Sequence, residues 1–466
     1  MKLETSRALP FWRRRTGELL QMNTNLTPNS GQMSLVLFMA PVGYQTAAWR
    51  HNESRVEDLY GLNLPTSIAR RAEAAKLHAL FLADWLSFEA TGKSPDQTGY
   101  EPFTTMGALS AVTDRIGLIG TAATTFFPPY HLARQLSQLD WLSNGRAGWN
   151  IVTGTTGQEN FNCELPSRNE RYARAYEYMD VVTGLWDCWS DNAVLNDRMA
   201  GVWADPQRIK SLDHSGPMHK VAGPLMLPRS PQGWPVLAQA GASDAGREFA
   251  AAYAEVVFTV TPLLNLAQEF YTDLKARVEK AGRRQDALRV HPGLMPIVGD
   301  NEADARRIHD DLIDLIDEQE GLIRLRSGLE NTDLRGLDWN ETIPVERLIE
   351  PSLAVREKEA ASRYPYYYHL AVDKKYTVRE LLREIMKAAG HGIVTGSAEQ
   401  IADHMQTWFQ GGAADGFALL PPTMGSCLDR ILLEVVPILQ QRGLFRTDYV
   451  EGTLRENLGL VRPAGR

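Results

Sequence analysis

What this chain is short of narrows its function first. Cysteine occurs only three times in 466 residues, as Cys163, Cys188 and Cys427, an odd number with no C-x-x-C spacing. Neither a disulfide framework nor a thiolate metal site is expected, and a reducing cytoplasm is the expected compartment. No apolar run approaches the ~18 residues needed to cross a bilayer. There is no surplus of positive charge: 49 basic against 57 acidic side chains leave a net charge of -8, so electrostatics give no reason to expect a nucleic-acid partner, and no membrane partner is expected either. No P-loop and no G-x-G-x-x-G fingerprint occurs, so nothing looks built to bind NADH. The ten histidines do not assemble a metal site. His214 and His219 lie in an irregular loop, with no H-E-x-x-H helix or third ligand.

What is present is alternation. Short apolar runs at Leu35–Met39, Ala79–Ala83, Ile116–Gly120, Ala147–Val152, Pro235–Gln239, Val256–Val260, Val290–Val298 and Gly416–Leu420 read as strands. Between them lie amphipathic stretches of helix length, such as Thr66–Lys76, Tyr130–Leu142, Glu170–Trp189, Ala245–Tyr253 and Leu266–Ala281, with Leu428–Gln441 closing the series. Strands alternating with helices predict a parallel sheet, and a count of eight predicts an α/β fold of the TIM-like (β/α)8 barrel type. The expected organisation is one barrel domain over residues 33–460 with two insertions. The first, about 191–229, reads as an irregular polar excursion. The second, about 300–396, carries helices at Ala303–Gln319 and Val378–Ala389 and the cluster Tyr364-Pro365-Tyr366-Tyr367-Tyr368. An insertion that long at the C-terminal side of a barrel is expected to shape or cover the active site. Residues 1–32, with Arg13, Arg14 and Arg15 and then a polar stretch, read as a disordered extension, with Met22 or Met33 as possible true starts.

Barrel chemistry sits at the C-terminal ends of the strands. Those ends read Asp84, Thr121, Asn150 with Thr153, and Gln239 followed by Gly241-Ala242-Ser243, each polar or small after an apolar run. Strands often just end where polar residues begin, so it is the conjunction that predicts a site. In Ala240-Gly241-Ala242-Ser243-Asp244-Ala245-Gly246-Arg247 a strand passes through glycine to a serine in N-cap position. Either this is a plain N-cap, or the free N–H groups and dipole of the helix start form a phosphate site. Tyr172, opening the helix after the fourth strand, reads as a ligand contact or as packing. His391, in Gly390-His391-Gly392 just before the eighth strand, reads as a pocket residue or as structural. Asp84 and His391 are the candidates for a catalytic acid or base.

Several motifs are specific. Gly145-Arg146-Ala147-Gly148-Trp149-Asn150-Ile151-Val152-Thr153 is similar to the G-R-x-G-W-N-x-V-T segment of the nitrilotriacetate monooxygenase family, a branch of the bacterial-luciferase-like flavin monooxygenases that includes dibenzothiophene-sulfone and pristinamycin-pathway oxygenases. Phe81-Leu82-Ala83-Asp84, Gly120-Thr121-Ala122, Pro228-Arg229-Ser230-Pro231-Gln232-Gly233, Gln239-Ala240-Gly241-Ala242-Ser243 and Gln441-Arg442-Gly443-Leu444-Phe445-Arg446 match in the same order, over about residues 33–460. The resemblance implies a luciferase-like barrel binding FMN at its strand ends. It implies a separate NAD(P)H:flavin reductase that delivers reduced FMN, and insertion of oxygen from O2 into a small organic substrate through a flavin C4a-(hydro)peroxide. Carried over by position, the flavin contacts are Asp84, Thr121, Tyr172, Ala242 and Ser243, with Asn150 nearby. A homo-oligomer, dimer or tetramer, is expected.

Three departures set this chain apart from the family pattern. Thr153-Gly154 stands where the family has Thr-Ser, Arg168 where it has a histidine four residues before the tyrosine, and Gly43-Tyr44-Gln45 where it has a paired-histidine region. Substrate identity does not carry over. Two rivals share the barrel: hydride transfer with deazaflavin F420, against which the G-W-N-x-V-T and S-P-Q-G motifs speak, and flavin binding without turnover. A barrel glycosidase would need two carboxylates at strand ends, and only Asp84 is well placed.

Overall fold

The structure is a computed structural model that describes residues 31–88, 94–95, 99–358 and 363–465. The expectation of a disordered extension therefore falls, up to residue 30, outside the described residues. The described chain divides into two compact units: residues 31–315 with 391–465, and residues 316–390.

The first unit is the barrel. Its strands are β1 (Ser34–Phe38), β2 (Ala79–Leu82), β3 (Gly117–Ala123), β4 (Ala147–Val152), β5 (Val236–Gln239), β6 (Val256–Thr259), β7 (Arg289–Val298) and β8 (Gly416–Leu419). Each pairs in parallel with the next, β6 pairs β7, and β8 returns to β1, which closes the ring as expected from the sequence. A ninth strand, Gly392–Gly396, extends β7 outward by pairing with Leu294–Val298.

Alternation decides what each strand residue does. Along β4 the Trp149 indole turns outward, donates to the Ala122 carbonyl at 3.1 Å and packs on Tyr178 of the helix Arg168–Trp186. Asn150, one residue on, therefore turns inward. The inward set includes Val36, Ala79, Phe81, Ile119, Val236, Ala238, Val256, Phe258 and Ala418, which form one apolar core inside the barrel. Outward residues pack on the surrounding helices in separate clusters.

Leu454, Leu458 and Leu460 join the barrel-interior core. They enter from the N-terminal end, because Leu454 lies against Gly117, the first residue of β3. The helix bearing Leu454, Leu454–Asn457, starts with a capping box between Thr453 and Glu456. Arg455 within it is fully buried and forms a bidentate ion pair with Glu255, the residue before β6; its Nη2–Oε2 contact is 2.9 Å. The C-terminal segment is thus a plug for the bottom of the barrel.

Three sequence expectations change in detail. The excursion 191–229 is more ordered than expected, holding the hairpin Val194–Asp197/Val202–Ala204 and a shorter one at His214–Ser215/Lys220–Val221. The helix expected over Ala303–Gln319 is two helices, Glu302–Asp314 and Glu318–Gly328. The break is at Asp317, whose side chain caps the second by accepting from Gln319 and Glu320 N–H. His391 does not precede the eighth barrel strand but the added strand Gly392–Gly396. That strand fell inside the second expected insertion, and only its pairing with β7 gives it a place.

The second unit is helical, with Glu318–Gly328, Pro351–Lys358, Tyr364–Val372 and Val378–Ala388. It has a core of its own, in which Tyr364, Tyr367 and Tyr368 are buried. The Tyr364 hydroxyl donates to the Ile349 carbonyl at 2.7 Å and accepts from its N–H at 3.1 Å. Its aromatic cluster therefore packs the unit itself. No described helix is long and apolar enough to cross a membrane.

Candidate functional site at the C-terminal mouth of the barrel

Strand β3 runs on to Ala123, further than the sequence suggested, while β4 keeps its expected bounds; Thr121 and Asn150 lie within them, opposite each other in register. Both are buried. The Thr121 hydroxyl donates to the Leu82 carbonyl at 2.9 Å, and so is left to accept from Asn150 Nδ2 at 3.0 Å. This fixes the Asn150 amide. Its Oδ1 is directed elsewhere and has no partner among the described residues. A buried amide oxygen without a donor costs roughly 1–3 kcal/mol, so the interior is prepared for a ligand that donates there.

A second cluster forms where β5 ends. Ser243, in extended conformation, caps the helix Asp244–Tyr253, its Oγ accepting from Gly246 N–H at 3.2 Å. The hydroxyl hydrogen is left free to donate outward. Gly246 is tightly enclosed: a β-carbon there would lie 2.9 Å from the Tyr172 hydroxyl and 3.0 Å from Gly241. So Tyr172, Ser243 and the first turn of the helix converge on one spot. Ala242 sits in the same turn, packed against the core behind the helix. Asp244, at the first helical position, is neutralised by Arg277 at 2.6 Å. The free hydroxyl, unpaired N–H groups and helix dipole suit an oxyanion such as a phosphate. Beneath them, Gln239 Oε1 and Thr259 Oγ1 are also buried without partners among the described residues.

His391 reaches the mouth from a third side. Gly293 of β7 points inward, and a β-carbon there would fall 2.1 Å from His391 Nδ1. Glycine thus makes the room the imidazole occupies. The Tyr44 ring meets it edge-on at 5.6 Å, and Tyr44 in turn meets Phe38 at the end of β1 at 5.0 Å. Tyr44, from the segment that departs from the family pattern, is therefore a mouth residue. His291, further down β7, is fully buried near the opposite end. Burial there holds its pKa down to about 3, and its Nε2 shares a 2.6 Å hydrogen bond with Ser34.

Asp84 stands just past β2, half-buried. Burial pushes its carboxyl up to about 6, the Glu101 carboxylate adds to the rise, and a hydrogen bond from the Trp85 N–H opposes it. It opens onto a cavity of about 520 Å3 whose walls include Trp85, Tyr100, Glu101, Phe127 and Phe161. The sequence reading missed Glu101. The signal was local: Glu101-Pro102 is an acidic N-cap followed by proline at the first helical position, and Glu101 accepts from Phe103 and Thr104 N–H at 3.3 and 2.6 Å. Phe161, stacked on Phe126 at 4.9 Å, was not legible in the sequence because it comes from the long β4–helix loop. That loop also explains one departure. Gly154 has φ +68° and lies against the Phe126 ring, where a β-carbon would be only 2.6 Å away, so serine would be strained here.

The titration of Asp84 is testable without knowing any ligand. The folded pKa lies above the unfolded value of ~3.9, so the folded state holds the proton more firmly. Stability contributed by this group is full below pH ~4 and is lost as pH rises through about 6. The fluorescence of the adjacent Trp85 is expected to show an inflection near pH 6 that Asp84→Asn removes. The same inflection persisting in the variant would assign it to another group.

No group of three or more histidine, cysteine, aspartate or glutamate side chains able to hold a metal occurs among the described residues. The chain matches the family model "Luciferase-like monooxygenase" over residues 49–415. It is 39% identical over 444 residues to N-acetyl-S-(2-succino)cysteine monooxygenase of Bacillus subtilis (strain 168), covering 95% of this chain and 99% of that protein. It is 38% identical over 447 residues to nitrilotriacetate monooxygenase component A of Aminobacter aminovorans, covering 93% and 97%. Among solved structures, DmoA from Hyphomicrobium sulfonivorans has the same fold with a TM-score of 0.81, at 32% identity and 92% coverage of each chain.

Proposed function

This chain belongs to the luciferase-like monooxygenase family, and from that premise we propose that it is the oxygenase component of a two-component system, taking reduced FMN from a separate NAD(P)H:flavin reductase and using O2 to oxidise a small organic substrate. The observation that carries this reading is the convergence of Ser243, Tyr172 and the start of the helix Asp244–Tyr253 beside buried, partnerless Gln239 Oε1, in the same mouth as partnerless Asn150 Oδ1. A phosphate-bearing ligand with a polar ring fits both: an anionic end for the helix start, and ring donors for orphaned acceptor oxygens.

Reduced FMN, when bound, supplies the activation of dioxygen. The chain supplies the rest. Ser243, Tyr172 and the Ala242 turn hold the phosphate. Asn150, locked by Thr121, orients the ring system. Asp84 is able to hold or release a proton near pH 6 at the edge of the mouth, and His391, wedged over Gly293, is another ionisable side chain facing it. Apolar walls from Phe38, Phe81 and Phe258 beneath limit water.

The test uses the absence of any dinucleotide motif. The purified chain with FMN is expected to leave NADH unconsumed above background. Addition of an unrelated flavin reductase is expected to start substrate oxidation. Robust NADH oxidation by the chain alone would sink the two-component reading.

A further inference from the structure

Resting on the monooxygenase reading of this mouth, we propose that the cavity beside Asp84 takes a cationic organic substrate, an amine or quaternary ammonium compound with an apolar arm, and refuses polycarboxylates. The cavity, about 520 Å3, falls within the ~300–1,000 Å3 of small-molecule sites. Two of its walls are carboxylates, Asp84 and Glu101. The others include the rings of Trp85, Tyr100, Phe127 and Phe161. No lysine, arginine or histidine is among its described lining residues.

Each wall favours the same ligand. Glu101 is held by two helix N–H groups, which fixes the position of its carboxyl group. Burial already penalises the charged form of Asp84, and the Glu101 carboxylate adds to that cost. A ligand cation between them relieves both penalties, whereas a ligand carboxylate adds a third negative charge to a half-buried space. Aromatic faces attract an organic cation through their quadrupoles and give its apolar arm a surface. The Tyr100 hydroxyl is buried and has no partner among the described residues, so a ligand acceptor atom has a donor to meet.

The experiment is isothermal titration calorimetry on the full chain, anaerobically, with and without saturating reduced FMN. The probes are benzyltrimethylammonium, benzylamine, benzyl alcohol and nitrilotriacetate. Both cations are expected to bind at least about tenfold more tightly than benzyl alcohol, with no measurable heat from nitrilotriacetate. Glu101→Gln should lower the cation preference about tenfold. Because that change also weakens a helix cap, Asn160→Lys serves as the second variant: Asn160 is exposed on the cavity rim, and a cation there should lower the affinity for both ammonium probes and let nitrilotriacetate bind. Equal binding of benzylamine and benzyl alcohol, or nitrilotriacetate binding as tightly as benzylamine, overturns the proposal. Failure of reduced FMN itself to bind, read in a parallel titration, counts against the monooxygenase reading alone, since cation selectivity is still measured on the flavin-free protein.

Discussion

Ser243→Asp is expected to abolish most of the affinity for reduced FMN while leaving the fold and riboflavin binding unchanged. Ser243 has two roles that the variants separate. It caps the helix Asp244–Tyr253 through Gly246 N–H at 3.2 Å, and its hydroxyl hydrogen remains available to a phosphate. Ser243→Ala removes a hydrogen bond to a charged group, roughly 1.5–3 kcal/mol, which corresponds to about 10- to 150-fold in affinity. Aspartate is as good an N-cap as serine, so the helix survives. It also sets a carboxylate against a phosphate dianion, so the loss exceeds that of alanine. The measurement is an anaerobic titration of reduced FMN and reduced riboflavin against all three proteins. Wild-type affinity of Ser243→Asp for reduced FMN would show that the phosphate sits elsewhere.

The second large effect lies at the other end of the barrel. Arg455 is buried beneath the interior core, and its guanidinium engages Glu255 with both terminal nitrogens, Nη1 and Nη2, with further bonds to the Trp234 carbonyl at 3.0 Å and the Val461 carbonyl at 3.2 Å. Glu255 also accepts from Leu237 N–H at 3.0 Å. Glu255→Ala strands a buried cation and is expected to destabilise the chain by about 3–5 kcal/mol. Glu255→Leu with Arg455→Met, which removes both charges, is expected to recover much of that loss. Denaturant unfolding of the single and double variants reads both. Reduced FMN should bind the folded fraction of each normally, since the pair lies at the N-terminal end, opposite the mouth. A change within ±0.5 kcal/mol for Glu255→Ala would mean that the guanidinium reaches water.

Neither role was equally visible beforehand. Ser243 is legible because an N-cap after a strand and a glycine is a local pattern, complete within a few residues. The partnership of Arg455 with Glu255 spans 200 residues and follows no spacing rule. Glu101 illustrates the intermediate case. Its cap pattern is local, but its position against Asp84 requires β2 and the helix Pro102–Ser110 to fold side by side.

The sequence by itself determined the barrel and the rim of its site. Period-2 alternation and helix-length spacing are enforced by backbone geometry within single elements, so all eight strands are recognisable one at a time, and the polar residues Asp84 and Gln239 mark the ends of two of them. The tertiary structure alone decided the rest. It gave His391 a place over Gly293 by pairing Gly392–Gly396 with β7, and left the Asn150 oxygen without a donor by committing the Thr121 hydroxyl to Leu82. It also spent the tyrosine cluster on a core in the helical unit. Those outcomes depend on which distant groups come within a few ångströms of one another, and hydrogen-bond satisfaction and steric exclusion act only at that range.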